Sequence, residues 1–309
     1  PVMEKYNRGL TLTVVVEGQS LNFGEGFGNV ATLKKLKRAN GNEYDFSSRQ
    51  SLRYSIVKIG NESFDWKLSP VKAEGSGDKK VVQFVAEESI ASSPEIDLFG
   101  YMKTKSKGSD EGTATRVAPV RLTPAISLEP FNYEVEFQTN KWLADRAGEN
   151  PNIANAENHR SLYRYTVTVD LDRVGTEAWN LSLPEEERKV EVSPEERSKR
   201  VCELLEIIKY LYRDIRGRRE DLKPVFIAGG VYKIKNPYFM NAISVIWKGD
   251  KPTIDLDPIK EISESVGDGE TFIGARKGYW ENDFDESVLS PEQAIEGMKN
   301  LVKTVYSRQ

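Results

Sequence analysis

Disulfide chemistry is closed to this chain, because its 309 residues include a single cysteine, Cys202, and one thiol makes neither an intrachain bridge nor a paired CxxC zinc site. Histidine is equally scarce. His159 stands alone, with no cysteine near it, which leaves no histidine-rich metal centre and reads as a surface position rather than a triad base. Apolar runs are short: VVV at 14–16 is far below the roughly 20 residues that cross a bilayer, so no membrane partner is expected. The positive excess of general nucleic-acid-coating proteins is missing too, since 44 Lys and Arg against 48 Asp and Glu give a net charge of -4. No signal or transit segment precedes Met3, so a cytoplasmic location is expected. Nothing in the residues calls for a cofactor or a metal.

What is present is an uneven distribution of charge. LKKLKR at 33–38 and RDIRGRR at 213–219 are basic, whereas Glu185 to Glu187 and the tail with Glu281, Asp283, Asp285 and Glu286 are acidic. A specific cationic groove on an acidic protein fits this pattern better than a uniformly basic surface.

Periodicity predicts an α+β mixed sheet with few helices, as one domain over 1–309 carrying insertions. LTLTVVVE at 10–17 alternates like a half-buried strand and runs into a loop with four glycines in GQSLNFGEGFGNV. In YDFSSRQSLRY, 44–54, Ser47 reads as a helix cap, with Gln50 three places on and Leu52, Ile56 and Ile59 as the buried face. The stretches 60–80 and 103–115 read as mobile loops, VVQFV at 81–85 as a strand, and IDLFGYM at 96–102 as a strand end or a helical turn. Prolines 119, 124 and 130 mark an extended edge path. FNYEVEFQ at 131–138 and SLYRYTVTVDL at 161–171 alternate as strands flanking the segment 139–160, a long hairpin or projecting arm. Ser193, Pro194 and Glu196 start a helix whose stripe runs to Ile215, with Gly217 ending it; VFIAG at 225–229 and NAISVIW at 241–247 read as strands. Ser290, Pro291 and Gln293 start a terminal helix with Ile295, Met298, Leu301, Val302 and Val305 inside.

Most candidate chemistry fails on residue type. GEGFG at 24–28 lacks the lysine of a phosphate loop and the third glycine of a dinucleotide turn. Asp255 with Asp257, and Asp283 with Asp285, read as solvated acidic loops. Arg49 and Arg53, four apart on the first turns of a helix behind Ser47 and Ser48, are suited to holding phosphates without reading bases. Arg116, Arg121, Lys233 and Lys235 are further donors on segments bordering the sheet, and arm aromatics can stack on bases.

LTLTVVVEGQSLNFGEGFGNVATLKKL, SSRQSLRYSI, IDLFGYM and GGVYKIKNPYFMNAI, in that order along the chain, resemble the type I-B DevR branch of the Cas7 family, the crRNA-binding backbone subunits of CRISPR Cascade complexes. The resemblance implies a modified RRM-like, ferredoxin-like palm with insertions forming a thumb, 139–160 being the candidate and 60–80 a competitor. It implies copies arranged head to tail on crRNA, an open contact that builds a helical oligomer, with sequence choice left to pairing between guide and target DNA. The implied partners are crRNA, target DNA through the guide, neighbouring copies, the other Cascade subunits (Cas5, Cas6, Cas8 and the small subunit), and a recruited nuclease or transposition proteins. The family's arginine helix falls on Ser48, Arg49, Gln50 and Arg53, with Asn22, Asn29, Lys34, Lys35, Lys37 and Arg38 as further RNA contacts. Type III relatives cut RNA with an aspartate in the early loop; residues 18–42 here hold Glu25 and no aspartate, which implies a non-catalytic subunit in antiviral defence. The alternative, a metal-dependent ribonuclease, requires Glu25 or Asp45 as its carboxylate.

Overall fold

Strand Gly9–Gln19 is buried along almost its whole length because it is covered on both faces. In this computed structural model, which describes residues 8–85, 87–104 and 113–308, it pairs antiparallel with Arg160–Asp170 over all eleven positions, from Gly9↔Asp170 to Gln19↔Arg160, and on its other side with Phe226–Tyr232. The principal sheet runs Val288–Leu289, Thr271–Ala275, Phe226–Tyr232, Gly9–Gln19, Arg160–Asp170, Ala125–Ser127, Glu43–Ser47, Lys35–Lys37, with Val120–Leu122 also paired to Arg160–Asp170. Four consecutive strands of it, Phe226–Tyr232, Gly9–Gln19, Arg160–Asp170 and Ala125–Ser127, each run antiparallel to the next. Helices Arg49–Phe64 and Pro194–Lys209 interrupt them, giving the chain order strand, helix, strand, strand, helix, strand. In space these four strands stand fourth, first, third, second.

Alternation then assigns the two faces. Leu10, Leu12, Val14, Tyr163, Tyr165 and Val167 face the helices, in one core with Leu52, Ile56, Leu204, Ile208, Ile295 and Met298. Val15, Leu162 and Phe226 point the other way, under Phe239, Ile254 and Trp280. Each fully buried Leu or Ile contributes about 1.5–3 kcal/mol. Local chemistry sets the helix starts. Ser193 Oγ accepts from the Glu196 N–H at 3.2 Å ahead of Pro194. At Ser290 the capping box is complete, with Gln293 N–H to Ser290 Oγ at 3.1 Å and Ser290 N–H to Gln293 Oε1 at 3.0 Å.

Several expectations shift. The helix from Pro194 ends at Lys209, not near Gly217, because Arg216 and Gly217 both take positive φ (47° and 78°) and turn Tyr212–Ile215 back on Arg218–Asp221. Within 60–80, expected as a loop, the helix continues to Phe64, and Val71–Glu74 pairs with Val81–Phe84. Residues 105–112 of the expected loop 103–115 lie outside the described residues; their flanks Tyr101–Thr104 and Thr113–Arg116 pair antiparallel. Segment 96–102 divides at Gly100, between helix Pro94–Phe99 and strand Tyr101–Thr104. A Cβ at Gly100, with φ 77°, would stand 2.4 Å from the Arg116 carbonyl oxygen. Of 241–247 only Val245–Trp247 is strand. The partner of Val135–Thr139 is Ile153–Glu157, inside the inserted segment, and not 161–171. A short helix, Lys141–Ala147, connects the two strands, and Ile153–Glu157 also pairs parallel with Val30–Ala31.

Candidate nucleic-acid interface

Helix Arg49–Phe64 is set in place by two contacts at its start. Ser48, not Ser47, is the cap: its Oγ accepts from the Ser51 N–H at 3.2 Å, while Asn22 Oδ1 accepts from the Ser48 N–H at 2.9 Å. Ser47 remains in the preceding strand, its hydroxyl 2.9 Å from that of Ser51. Leu52, Ile56 and Ile59 are buried as expected, which turns Arg49 and Gln50 to solvent and leaves Arg53 half-buried. The Arg53 guanidinium lies 5.5 Å from the Phe99 ring centroid. Burial lowers its pKa; Glu95 works against this and Arg49 reinforces it.

Beside Arg53 runs a groove of about 520 Å³, lined by Gln50, Arg53, Tyr54, Val57, Leu68 and Glu95. Hairpin Tyr212–Ile215/Arg218–Asp221 stands across the helix, joined by Lys58–Asp214 at 2.8 Å. The hairpin's basic residues, noted in the sequence but given no role there, hold the early loop: Arg213 Nε donates to the Leu21 carbonyl at 2.7 Å, Arg218 to the Gln19 carbonyl, and the Arg216 guanidinium covers the Phe23 ring at 4.0 Å. Burial lowers the Arg213 pKa, partly offset by Tyr54. A basic run in the sequence was the available signal; its target, a loop some 190 residues earlier in the chain, had none.

The remaining expected contacts separate. Asn29, Lys37 and Arg38 are exposed and Lys34 half-buried. Lys35 is held by Glu157 at 2.6 Å and lies 4.6 Å from the Phe131 ring centroid. Arg116, expected to contact RNA, lies in the interior instead. Its side chain is fully buried, with Asp97 at 2.6 Å, Glu177, and the Thr176 and Arg173 carbonyls around it, so no RNA can reach it. Arg121 pairs with Asp170 at 2.8 Å and Lys235 with Asp172 at 2.5 Å; Lys233 is exposed, its N–H donating to Asp268. Arg121 stands opposite Thr168, between Val120 and Leu122, whose side chains face the helices. Alternation turns Arg121 to the face of the sheet away from helix Arg49–Phe64, so it does not join Arg49 and Arg53 in a single site.

His159, expected at the surface, is buried. Its Nδ1 meets Asp45 Oδ1 at 2.5 Å and its ring packs edge-on against Phe131. The other Asp45 oxygen accepts from the Tyr163 hydroxyl at 2.6 Å. Burial first, then the Asp45 charge, pushes the Tyr163 phenol upward. Both Asp45 oxygens are therefore engaged in the core. Among the described residues no three of His, Cys, Asp and Glu are grouped to hold a metal, and no helix is long and apolar enough to cross a membrane.

Residues 10–249 match the family described as CRISPR-associated negative auto-regulator DevR/Csa2. No curated protein matches the chain. Among solved structures, a chain of a "CRISPR RNA-guided surveillance complex, pre-nicking" superposes with a TM-score of 0.57 at 12% identity, covering 95% of this chain and 100% of that one. A chain of a second "CRISPR RNA-guided surveillance complex" gives 0.52 at 14% identity, covering 94% and 98%. At such identities the likeness is one of fold.

Proposed function

The chain belongs to the CRISPR-associated DevR/Csa2 family, and from that premise we propose that it is a non-catalytic backbone subunit of a type I Cascade complex. It lines up with further copies along crRNA, grips the phosphate backbone and leaves the bases to pair with target DNA. The observation that carries this reading is the helix start: a cap fixed from the early loop presents Arg49 to solvent and Arg53 to a groove, and guanidiniums so placed pair well with phosphate oxygens. The inner-strand order, fourth-first-third-second with two crossing helices, supports an RRM-like palm. The hairpin and helix of 139–160 supply its thumb. Other Cascade subunits, and a recruited nuclease or transposition machinery, complete the assembly. The engagement of both Asp45 oxygens by His159 and Tyr163 favours this reading over the ribonuclease alternative, for which Glu25 is then the remaining early carboxylate.

Co-expression with a CRISPR array tests the reading. The parent chain is expected to purify with RNA of uniform guide length, and Arg49→Glu with Arg53→Glu to lose most of it. Arg49→Glu alone, at an exposed position, separates RNA loss from misfolding, with stability changed by no more than about 0.5 kcal/mol. Full guide retention by the folded double variant would overturn it. Matched RNA given divalent metal is expected to remain uncut.

A further inference from the structure

The edge of the principal sheet has two unlike faces. Lys35 pairs with Asp45, Leu36 with Tyr44 and Lys37 with Glu43, and the ladder extends through Phe46 N–H to the Lys34 carbonyl and Arg38 N–H to the Asn42 carbonyl. Alternation therefore divides the cations of LKKLKR between the faces. Lys35 and Lys37, on one face, are neutralised by Glu157 at 2.6 Å and Glu43 at 3.6 Å. Lys34 and Arg38 share the other face with Leu36, Tyr44 and Phe46. Phe46 stands opposite Ile126 and Ile126 opposite Arg164, which brings Arg164 onto that same face.

Three cations share that face, and Arg38 is near enough for its charge to act on Arg164. Among the described residues none of Lys34, Arg38 and Arg164 has a salt-bridge partner, although the neighbouring lysines on the other face do. Burial lowers the Arg164 pKa and the positive field of Arg38 lowers it further. In a chain with more acids than bases, such a cluster is not the default outcome. Further across the sheet the same face is sealed by Phe239, Ile254 and Trp280 over Val15, Leu162 and Phe226. From Arg164 outward it opens: Tyr44, Phe46, Ile126 and Arg164 are half-buried and Arg38 is exposed.

We infer that this open face is a second contact for single-stranded RNA, its phosphates meeting Lys34, Arg38 and Arg164 and its bases lying on Tyr44 and Phe46. Ammonium and guanidinium groups satisfy phosphate oxygens, and aromatic rings stack on any base. The inference rests on the reading that the chain binds RNA, yet is separable from it. Helix Arg49–Phe64 packs on the opposite face, through Leu52 and Ile56 against the core with Leu12 and Tyr163.

The experiment titrates the full chain with labelled oligouridine over a salt series, comparing the parent, a triple Lys34→Gln, Arg38→Gln, Arg164→Gln variant, and the Arg49→Glu, Arg53→Glu variant, each checked for its folded melting transition. For single strands each lost phosphate contact removes about 0.7 from the slope of log K against log salt. The triple variant is expected to lose about 2, and Tyr44→Leu to weaken binding several-fold at unchanged slope. If the triple variant does not fold, Arg38→Gln alone is expected to lose about 0.7. A parental slope in the folded triple variant, or in Arg38→Gln where that variant stands in, overturns the inference, and if the helix variant alone changes, the reading under Proposed function survives it. A change confined to the sheet-face variant supports the inference and removes the helix from that reading. Binding of polyglutamate in place of oligouridine at this face would assign it to an acidic protein and overturn the inference.

Discussion

A guanidinium in a sequence does not announce its partner, and Arg116 illustrates the consequence. It stands in the same kind of extended, polar context as Arg121, yet Arg121 is about half-exposed at 48% and Arg116 is completely enclosed. The difference lies in Asp97 and Glu177, 19 and 61 residues away, with Arg200 completing the network on Asp97 at 2.8 Å. No local pattern links these four. The burial of His159 has the same origin, its partner Asp45 standing 114 residues away in the chain. Arg49 was legible because its exposure follows from the apolar stripe on its own helix. Removing one member of a buried charge network leaves its partners unpaired, which costs about 3–5 kcal/mol. Arg116→Met is therefore expected to lower urea-unfolding stability by that amount, while RNA retained per folded molecule stays at the parental level. A stable Arg116→Met protein that loses RNA would return this residue to the interface.

Elements were legible where their determinants are local. The two caps built from Ser, Pro and a residue three places on, at Ser193 and Ser290, form as the sequence predicts, because capping spends only neighbouring groups. At Ser47 and Ser48 two hydroxyls compete, and the choice is made by Asn22, 26 residues away; the expected cap was one residue early. The helix from Pro194 was overextended because Leu211 and Ile215 continue its apolar spacing past the turn at Arg216 and Gly217. Helix ends are also where charge couples elements. Glu296, on helix Pro291–Ser307, meets Lys209 at the end of Pro194–Lys209 and Lys299 on its own helix, each at 3.0 Å. The hydrogen bonds from Lys209 and then Lys299 hold its pKa below the ordinary 4.5. A carboxylate whose folded pKa is depressed stabilises the fold above its unfolded pKa, and the contribution disappears as pH falls through the folded value. Glu296→Gln is thus expected to cost about 0.5 kcal/mol near pH 7, discounted for solvent screening, and nothing once the pH is well below 4. Equal destabilisation by this substitution at both pH values, followed by thermal melting, would exclude the ion pairs as its cause.

At the scale of the whole molecule the α+β class could be read from periodicity, but the strand order could not. Gly9↔Asp170 and Val15↔Phe226 join positions 161 and 211 residues apart, and alternation states that a strand has two faces without naming its neighbours. The partner of Val135–Thr139 is Ile153–Glu157, where periodicity alone points to 161–171. Tyr133, Phe137, Trp142, Leu143 and Ile153 are 76, 62, 72, 58 and 55% exposed, an apolar grouping larger than isolated surface residues produce and of the kind that marks a contact between proteins. The short helix carrying Trp142 and Leu143 buries only Ala144, so its apolar side chains contribute little to the fold of the single chain. If the arm is the thumb through which one copy engages the next, Trp142→Ser with Leu143→Ser will change stability by no more than about 0.5 kcal/mol and leave the salt dependence of oligouridine binding at the parental slope. The guide-loaded particle, imaged by electron microscopy, will shorten from a regular row to one or two copies, because an open head-to-tail contact has no ring closure to compensate a weakened interface. A full-length row formed by this variant would place the contact between copies on another surface of the molecule.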